Sequence, residues 1–177
     1  MEKESRDSRV RIYGDPVLRK KTEPVRHDAK GLQKTLKLMN EVIDSTGGVG
    51  LAANQVGVSK KIVLINVEDY YKLPRFFLLN PEVIFSGDAL EEEEEGCLSV
   101  PGITVPVKRN LEVIVKALDL NGRETEIKAD KLLARVLQHE IDHLNGILFV
   151  NRLAEEEFRK LKPALRELQK AAKKKKT

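Results

Sequence analysis

The amino-acid sequence predicts an α+β fold, in which antiparallel or mixed β-sheets surround a central helix and one further helix lies towards each end of the chain. Two stretches have apolar residues at every third or fourth position, the period of an amphipathic helix. Between them lie five short apolar and β-branched runs separated by turn residues, which is typical of strands with short antiparallel connections. A length of 177 residues is that of one compact domain.

The elements are predicted in the following order. The first helix covers residues 29–46, with Asp28 as its N-terminal cap and Gly47 just beyond its end. The strands are predicted at Lys61–Val67, Phe76–Phe85, Ile103–Val107, Leu111–Leu118 and Glu124–Lys128. The central helix covers residues 131–145 and is capped by Asp130.

A third helix is predicted from residue 154 to about residue 162, where Pro163 interrupts it before it resumes towards the lysine run 173–176. We interpret residues 1–153 as the body of a single domain and residues 154–177 as its C-terminal helix with a basic tail. The net charge is +4, and the C-terminal segment alone carries nine basic and four acidic residues. The body is therefore nearly neutral.

The composition excludes several classes of protein. The longest unbroken apolar runs hold four residues, whereas a membrane span needs about twenty and a secretory signal core roughly seven to fifteen. We therefore expect neither a membrane partner nor Sec export. A single cysteine excludes an internal disulfide and favours a reducing, cytoplasmic location. Because the basic surplus lies in the tail, we expect no DNA partner.

The central helix carries the pattern H-E-x-x-H. His139 and His143 are four residues apart, so they lie one turn above the other at the edge of the apolar face, and Glu140 points into that face. In this pattern two imidazoles bind one metal and the glutamate reaches a metal-bound water. The alternative is a pair of structural histidines hydrogen-bonded to the backbone, beside a glutamate that either extends to solvent or pairs with an arginine. A metal site also needs a third protein ligand.

Cys97, the only cysteine, follows the acidic run Glu91–Glu95. It is either a small buried apolar residue, a thiolate nucleophile, or a third ligand for a metal at the histidines. The ligand role is favoured, because a metal would capture a nearby thiolate. We interpret the acidic run as a solvated loop and keep Glu95 as a group that could support the site.

A glycine-rich turn, Gly48–Gln55, follows the first helix. It lacks the spacing of a dinucleotide-binding loop and could be a helix end with close packing. Gln55 is a polar side chain that follows the apolar run, and its amide could donate to a developing oxyanion.

Together these segments resemble the peptide deformylase family, which removes the formyl group from N-formylmethionine on new bacterial polypeptides. The family motifs G-x-G-L-A-A-x-Q, E-G-C-L-S and Q-H-E-x-D-H stand here at Gly48–Gln55, Glu95–Ser99 and Gln138–His143. Their order and fixed positions all match, and the similarity extends from about residue 14 to residue 153. The short spacing between the first two motifs is like that of the type 1 members.

The resemblance implies a metal-dependent hydrolase whose catalytic domain is the body, residues 1–153. Cys97, His139 and His143 would hold one divalent metal, which is Fe²⁺ in the family, with Zn²⁺, Ni²⁺ or Co²⁺ able to occupy the same site. Metal-bound hydroxide would attack the formyl carbon, and Glu140 would carry the proton to the leaving amine.

The resemblance also implies that the Leu98 backbone N–H and the Gln55 amide stabilise the oxyanion. On the helical wheel Leu132 and Val136 share the face of the histidines, and with Val49 we expect them to line the methionine pocket. The substrate peptide is expected to lie extended against residues 48–50, that is, against Gly48, Val49 and Gly50, as an added strand.

Two other functions share parts of this pattern. A zincin-type metalloprotease also has H-E-x-x-H but takes its third ligand downstream, where no histidine follows His143. An inactive deformylase-like scaffold would only bind, and the intact ligand set and Glu140 argue against it. The tail lysines suit a contact with ribosomal RNA near the nascent chain, and the alternative is a docked helix with a solubilising end.

Overall fold

The computed structural model describes residues 7–174. Its helices are α1 Leu32–Thr46, α2 Glu68–Tyr71, α3 Lys131–Leu144 and α4 Glu155–Lys174, with single 3₁₀ turns at Pro16–Arg19, Ala53–Val56 and Phe149–Arg152. Its strands are β1 Gly50–Ala52, β2 Ile62–Ile65, β3 Phe76–Ser86, β4 Leu90–Gly96, β5 Thr104–Asn110, β6 Glu112–Leu118 and β7 Glu124–Asp130. The predicted α+β class is confirmed.

The strands form two antiparallel sheets. One has five strands in the order β1-β2-β3-β6-β7, and the other is the hairpin β4-β5. Every predicted strand is found within a few residues of its predicted bounds, while β1 and β4 are additional. The central helix α3 lies where the sequence predicts it.

Helices α1 and α3 cover opposite faces of the five-stranded sheet. Ile62 and Leu64 of β2 pack in the cluster that contains α1, whereas Val63 and Ile65 pack in the cluster that contains α3. Successive side chains of a strand point to opposite faces, so a strand covered on both sides is apolar throughout. This explains the unbroken apolar run in β2.

A third apolar cluster joins the β4-β5 hairpin to the C-terminal part of the chain. It contains Val107 from the hairpin, Phe149, and Leu165 from α4, with Cys97 packed at its margin. The hairpin forms no strand pairing with the larger sheet. Its position against α3 therefore depends on side chains.

The helix caps differ from the sequence prediction. Helix α1 begins at Leu32, three residues later than predicted, because Gly31 has a positive φ of 86° and the Asp28 carboxylate pairs with Arg26 instead of capping. Asp130 does precede α3, but its side chain makes no capping bond. The Tyr71 hydroxyl instead accepts the Leu133 N–H at 3.3 Å.

Two further predictions are wrong. Helix α4 continues through Pro163, which is exposed, while the apolar stripe on either side of it packs on the body. The acidic run is strand β4 and not a loop, because it pairs along its length with β5. Lys175 and Lys176 of the predicted tail lie outside the described residues.

Within residues 7–174, no helix is long and apolar enough to cross a membrane.

Candidate active site

Two separate parts of the fold bring three potential metal ligands together. His139 and His143 project from one face of α3, and Cys97 directly follows β4. Their ligand atoms all lie within 4.8 Å of one another, and Cys97 Sγ is 3.2 Å from His143 Nε2. A thiol and two imidazoles at these separations form a donor set that fits a tetrahedral transition-metal ion.

Hydrogen bonding and burial act differently on the two histidine rings. His139 Nδ1 lies 2.9 Å from Glu95 Oε2, which leaves Nε2 to face the other ligand atoms. Burial opposes a charge on His139, but hydrogen bonds with Cys97 and Glu95 outweigh it and raise the pKa of the ring well above its usual value. Burial lowers the pKa of His143 well below its usual value, so that ring is neutral.

Glu140 is buried beside these ligands. Desolvation raises the pKa of its carboxyl to about 7. Its Oε2 is an enclosed atom with no hydrogen-bond partner in the part of the chain that the structure describes. A Cβ at Gly50 would lie 2.6 Å from Glu140 Oε1, so the strand can approach the carboxylate only with glycine there.

The glycine-rich turn also places Gln55. Its Oε1 accepts the Ala52 N–H at 2.8 Å, and its Nε2 donates to Ser99 Oγ at 3.2 Å. The same Nε2 lies 3.5 Å from Cys97 Sγ. The amide is therefore fixed with its donor side towards the potential ligands, and Leu98 follows Cys97 along the same wall.

A cavity of about 340 Å³ opens beside these groups. The residues predicted to bind substrate all line it, and they are Gly48, Val49, Gly50, Leu132 and Val136. Cys97, His139, Glu140, Gln55 and Leu98 line it too. Among the predicted site residues, His143 does not line the cavity and is enclosed.

Comparison with known proteins decides the family. The sequence model of the polypeptide deformylase family matches residues 8–159. The chain belongs to the peptide deformylase family. Members of this family remove the formyl group from nascent polypeptides, so the chain is a hydrolase of that class.

Relatives and solved structures agree with this assignment. The peptide deformylase of Thermodesulfovibrio yellowstonii is 46% identical over 147 residues, which cover 82% of this chain and 88% of that protein. The crystal structure of the Thermus thermophilus peptide deformylase aligns with a TM-score of 0.83 at 39% identity, over 92% of this chain and 98% of that one. An Arabidopsis thaliana peptide deformylase crystallised with an inhibitor aligns with a TM-score of 0.87 at 33% identity, over 94% and 92% of the two chains.

The deformylase also contains a buried ion network that the sequence did not reveal. Arg109 of β5 donates to both oxygens of Glu95, at 2.9 and 3.0 Å, and to Asp142 of α3. Arg135 of α3 donates to Glu95 Oε1 at 2.8 Å, and Arg152 pairs with Asp142. The network ties the hairpin that precedes Cys97 to the helix that carries the histidines.

One signal for this network was present in the sequence. Arg135 and Asp142 are seven residues apart, so they share the polar face of α3. A polar face ordinarily meets solvent, and nothing in the sequence indicated that the β4-β5 hairpin covers it.

Proposed function

We propose that this deformylase hydrolyses the formamide of an N-formylmethionyl peptide, releasing formate and the free amino terminus, and that its motif residues do the chemistry. One observation carries the proposal. A cysteine and two histidines converge within 4.8 Å at the wall of a cavity, beside a buried glutamate with one oxygen that has no hydrogen-bond partner within residues 7–174.

Cys97, His139 and His143 would hold one divalent metal. The fit rests on the donor set, on the separations of its atoms, and on Glu95, which bonds His139 Nδ1 and so leaves Nε2 as the ring atom that would meet the metal. When bound, such an ion supplies the Lewis acidity that makes water a nucleophile near neutral pH. Thiolate and imidazole suit Fe²⁺, which we propose, and Zn²⁺, Ni²⁺ and Co²⁺ fit the same set.

Glu140 would move the proton. A group that takes a proton from water and returns it to the leaving amine must exchange it readily near the working pH. Burial raises the Glu140 pKa to about 7, which meets this need, and Gly50 leaves room for the carboxylate.

Gln55 and Leu98 would stabilise the charge that develops on the formyl oxygen. The Gln55 amide already directs Nε2 towards Cys97, and the Leu98 backbone N–H follows that residue. Donors that are fixed before the reaction need no reorganisation in the transition state.

The cavity would hold the methionine side chain between Val49, Leu132 and Val136. The following residues of the peptide would pair with the turn at Gly48 and with β1, because β1 is an edge strand of the five-stranded sheet. An edge strand offers unpaired backbone groups to an extended peptide.

The function is tested by formate release from formyl-Met-Ala-Ser with protein purified without oxygen, alongside metal analysis. We expect turnover of the formylated peptide, no cleavage of the unformylated one, and about one iron per chain. Cleavage of peptide bonds in the unformylated control would favour a metalloprotease. Absence of any turnover by the metal-loaded protein would favour an inactive scaffold.

We further propose a cytoplasmic location and a contact between α4 and ribosomal RNA. The apolar stripe of α4 packs against the body, with Leu165 and Ala172 buried, so its basic outer face is the part left for a partner. We expect co-sedimentation with ribosomes at low salt, and its loss both at high salt and after deletion of residues 171–177. Salt-independent binding, or binding unaffected by the deletion, would contradict the proposal.

A further inference from the structure

Arg135 occupies an unexpected position in the substrate cavity. It is the one lysine or arginine among the residues that line the cavity in the described part of the chain. On α3 it stands four residues before His139, a rise of about 6 Å along the helix axis. An unbranched side chain of four heavy atoms spans a similar length, so a methionine that extends from His139 along α3 towards its N-terminus would end near Arg135.

The guanidinium group is held rigidly. Its Nη1 donates to Glu95 Oε1 and to the Val107 carbonyl, both at 2.8 Å, and its Nη2 donates to the Glu91 carbonyl at 2.9 Å. The side chain is only 8% exposed. All three acceptors belong to the β4-β5 hairpin, and these bonds fix the orientation of the guanidinium against it.

The same group keeps donors that these acceptors do not use. A guanidinium has five N–H groups, and the three bonds leave the Nε–H and one Nη2 hydrogen. Enclosed side-chain nitrogens and oxygens without a partner occur, within residues 7–174, only in Asn54, Glu140 and His143. The Arg135 Nε is therefore not enclosed, and Arg135 is one of the residues that line the cavity.

We propose that Arg135 determines the specificity of the pocket by placing a hydrogen-bond donor where the tip of the substrate side chain ends. The pocket then accepts an unbranched side chain that ends in an acceptor, namely N-formylmethionine sulfoxide, besides N-formylmethionine. This inference rests on the proposed function, since the reaction is the same hydrolysis. The sulfoxide oxygen accepts from Arg135, while a thioether is only a weak acceptor.

The first test uses the wild-type, metal-loaded protein and three formylated tripeptides that differ only in their first residue: methionine, methionine sulfoxide or norleucine. Norleucine has the shape of methionine without an acceptor. We expect kcat/KM for the sulfoxide to equal or exceed that for norleucine. A sulfoxide value tenfold or more below norleucine would overturn the inference, because that is the penalty of an apolar pocket on an unpaired polar group. Failure of all three peptides, methionine included, would instead overturn the proposed function.

The second test compares the sulfoxide-to-norleucine ratio of kcat/KM between variants. Within one variant this ratio cancels changes in metal content and in the amount of folded protein. Arg135→Met removes the donors and keeps the stem, and we expect the ratio to fall about tenfold or more, the usual effect of a hydrogen bond to a charged group. Arg135→Lys keeps a charge beside Glu95 and an N–H donor on a flexible stem, so its ratio should fall less than that of Arg135→Met.

Arg123→Met is the matched control, because Arg123 lies in the turn before β7, outside the cavity lining. Its ratio should equal that of the wild type. An unchanged ratio in folded Arg135→Met would contradict the role of Arg135, and if that variant does not fold, the wild-type comparison of sulfoxide with norleucine decides.

Discussion

Glu95→Gln should weaken both the fold and the metal site. The side chain keeps its size but loses its charge, and one of its oxygens becomes an amide nitrogen that cannot accept. In the wild type, Glu95 receives three bonds from Arg109 and Arg135 and contacts His139 Nδ1 at 2.9 Å. Arg109 retains Asp142, but Arg135 loses its only carboxylate partner among the described residues.

The magnitude follows from burial. Glu95, Arg109 and Arg135 are each less than a tenth exposed, and removing one partner of a buried ion pair costs about 3–5 kcal/mol. For a domain of this size that corresponds to a Tm lower by roughly 6–20 °C. Because Glu95 also orients the His139 ring, we expect metal affinity to fall about 10- to 100-fold.

Two measurements test this prediction: denaturant unfolding of the metal-free protein and competition for the metal with a chelator. Glu93→Gln is the matched control, because Glu93 lies exposed on the same strand and its substitution should change stability by no more than about 0.5 kcal/mol. If Glu95→Gln stayed within about 1 kcal/mol of its parent and bound metal equally well, the buried network would not hold the site together.

Three further predictions concern the same site. Gln55→Ala should lower kcat about 100- to 1000-fold by removing an oxyanion donor, and full turnover would exclude Gln55 from the mechanism. Gly50→Ala should cost more free energy in catalysis, seen as a lower kcat, than in stability, because its Cβ would meet Glu140 Oε1 at 2.6 Å. Normal kinetics would show that the carboxylate can move. Burial opposes ionisation of Glu95, but hydrogen bonds with His139 and Arg109 outweigh it and lower the pKa from 4.5 to about 2. The stabilisation that the Glu95 carboxylate contributes is therefore complete above pH 4.5 and lost towards pH 2. The free energies of unfolding of metal-free wild type and Glu95→Gln should converge as the pH falls over that range, and a constant difference would contradict this.

The sequence was most informative where the residue pattern within one short segment is enough to predict the structure of that segment. The spacing of His139 and His143 sets their common face on any helix, and the apolar run in β2 predicts a strand wherever it packs. It was least informative at element ends. Neither the pairing of Asp28 with Arg26 nor the positive φ of Gly31 is visible in the sequence, and these decide where α1 begins.

Helix α4 and strand β4 show why local signals can fail. A proline inside a helix removes one hydrogen bond and usually kinks or breaks it, but Pro163 is exposed, and Leu161 and Leu165 on either side hold α4 to the body. The acidic run resembles a solvated loop until β5 supplies backbone partners along its whole length. In both cases the decisive contacts come from residues outside the segment itself.

The sequence by itself determined the fold class, the family resemblance and the identity of the candidate ligands, because these depend on residue type, order and spacing. Only the tertiary structure decided how those ligands are held. The hairpin and α3 meet through Glu95, Arg109 and Asp142, which are separated by up to 47 positions in the sequence. A charged side chain is stable inside a protein only beside its partners, and which partners it meets is fixed by the folding of the whole chain.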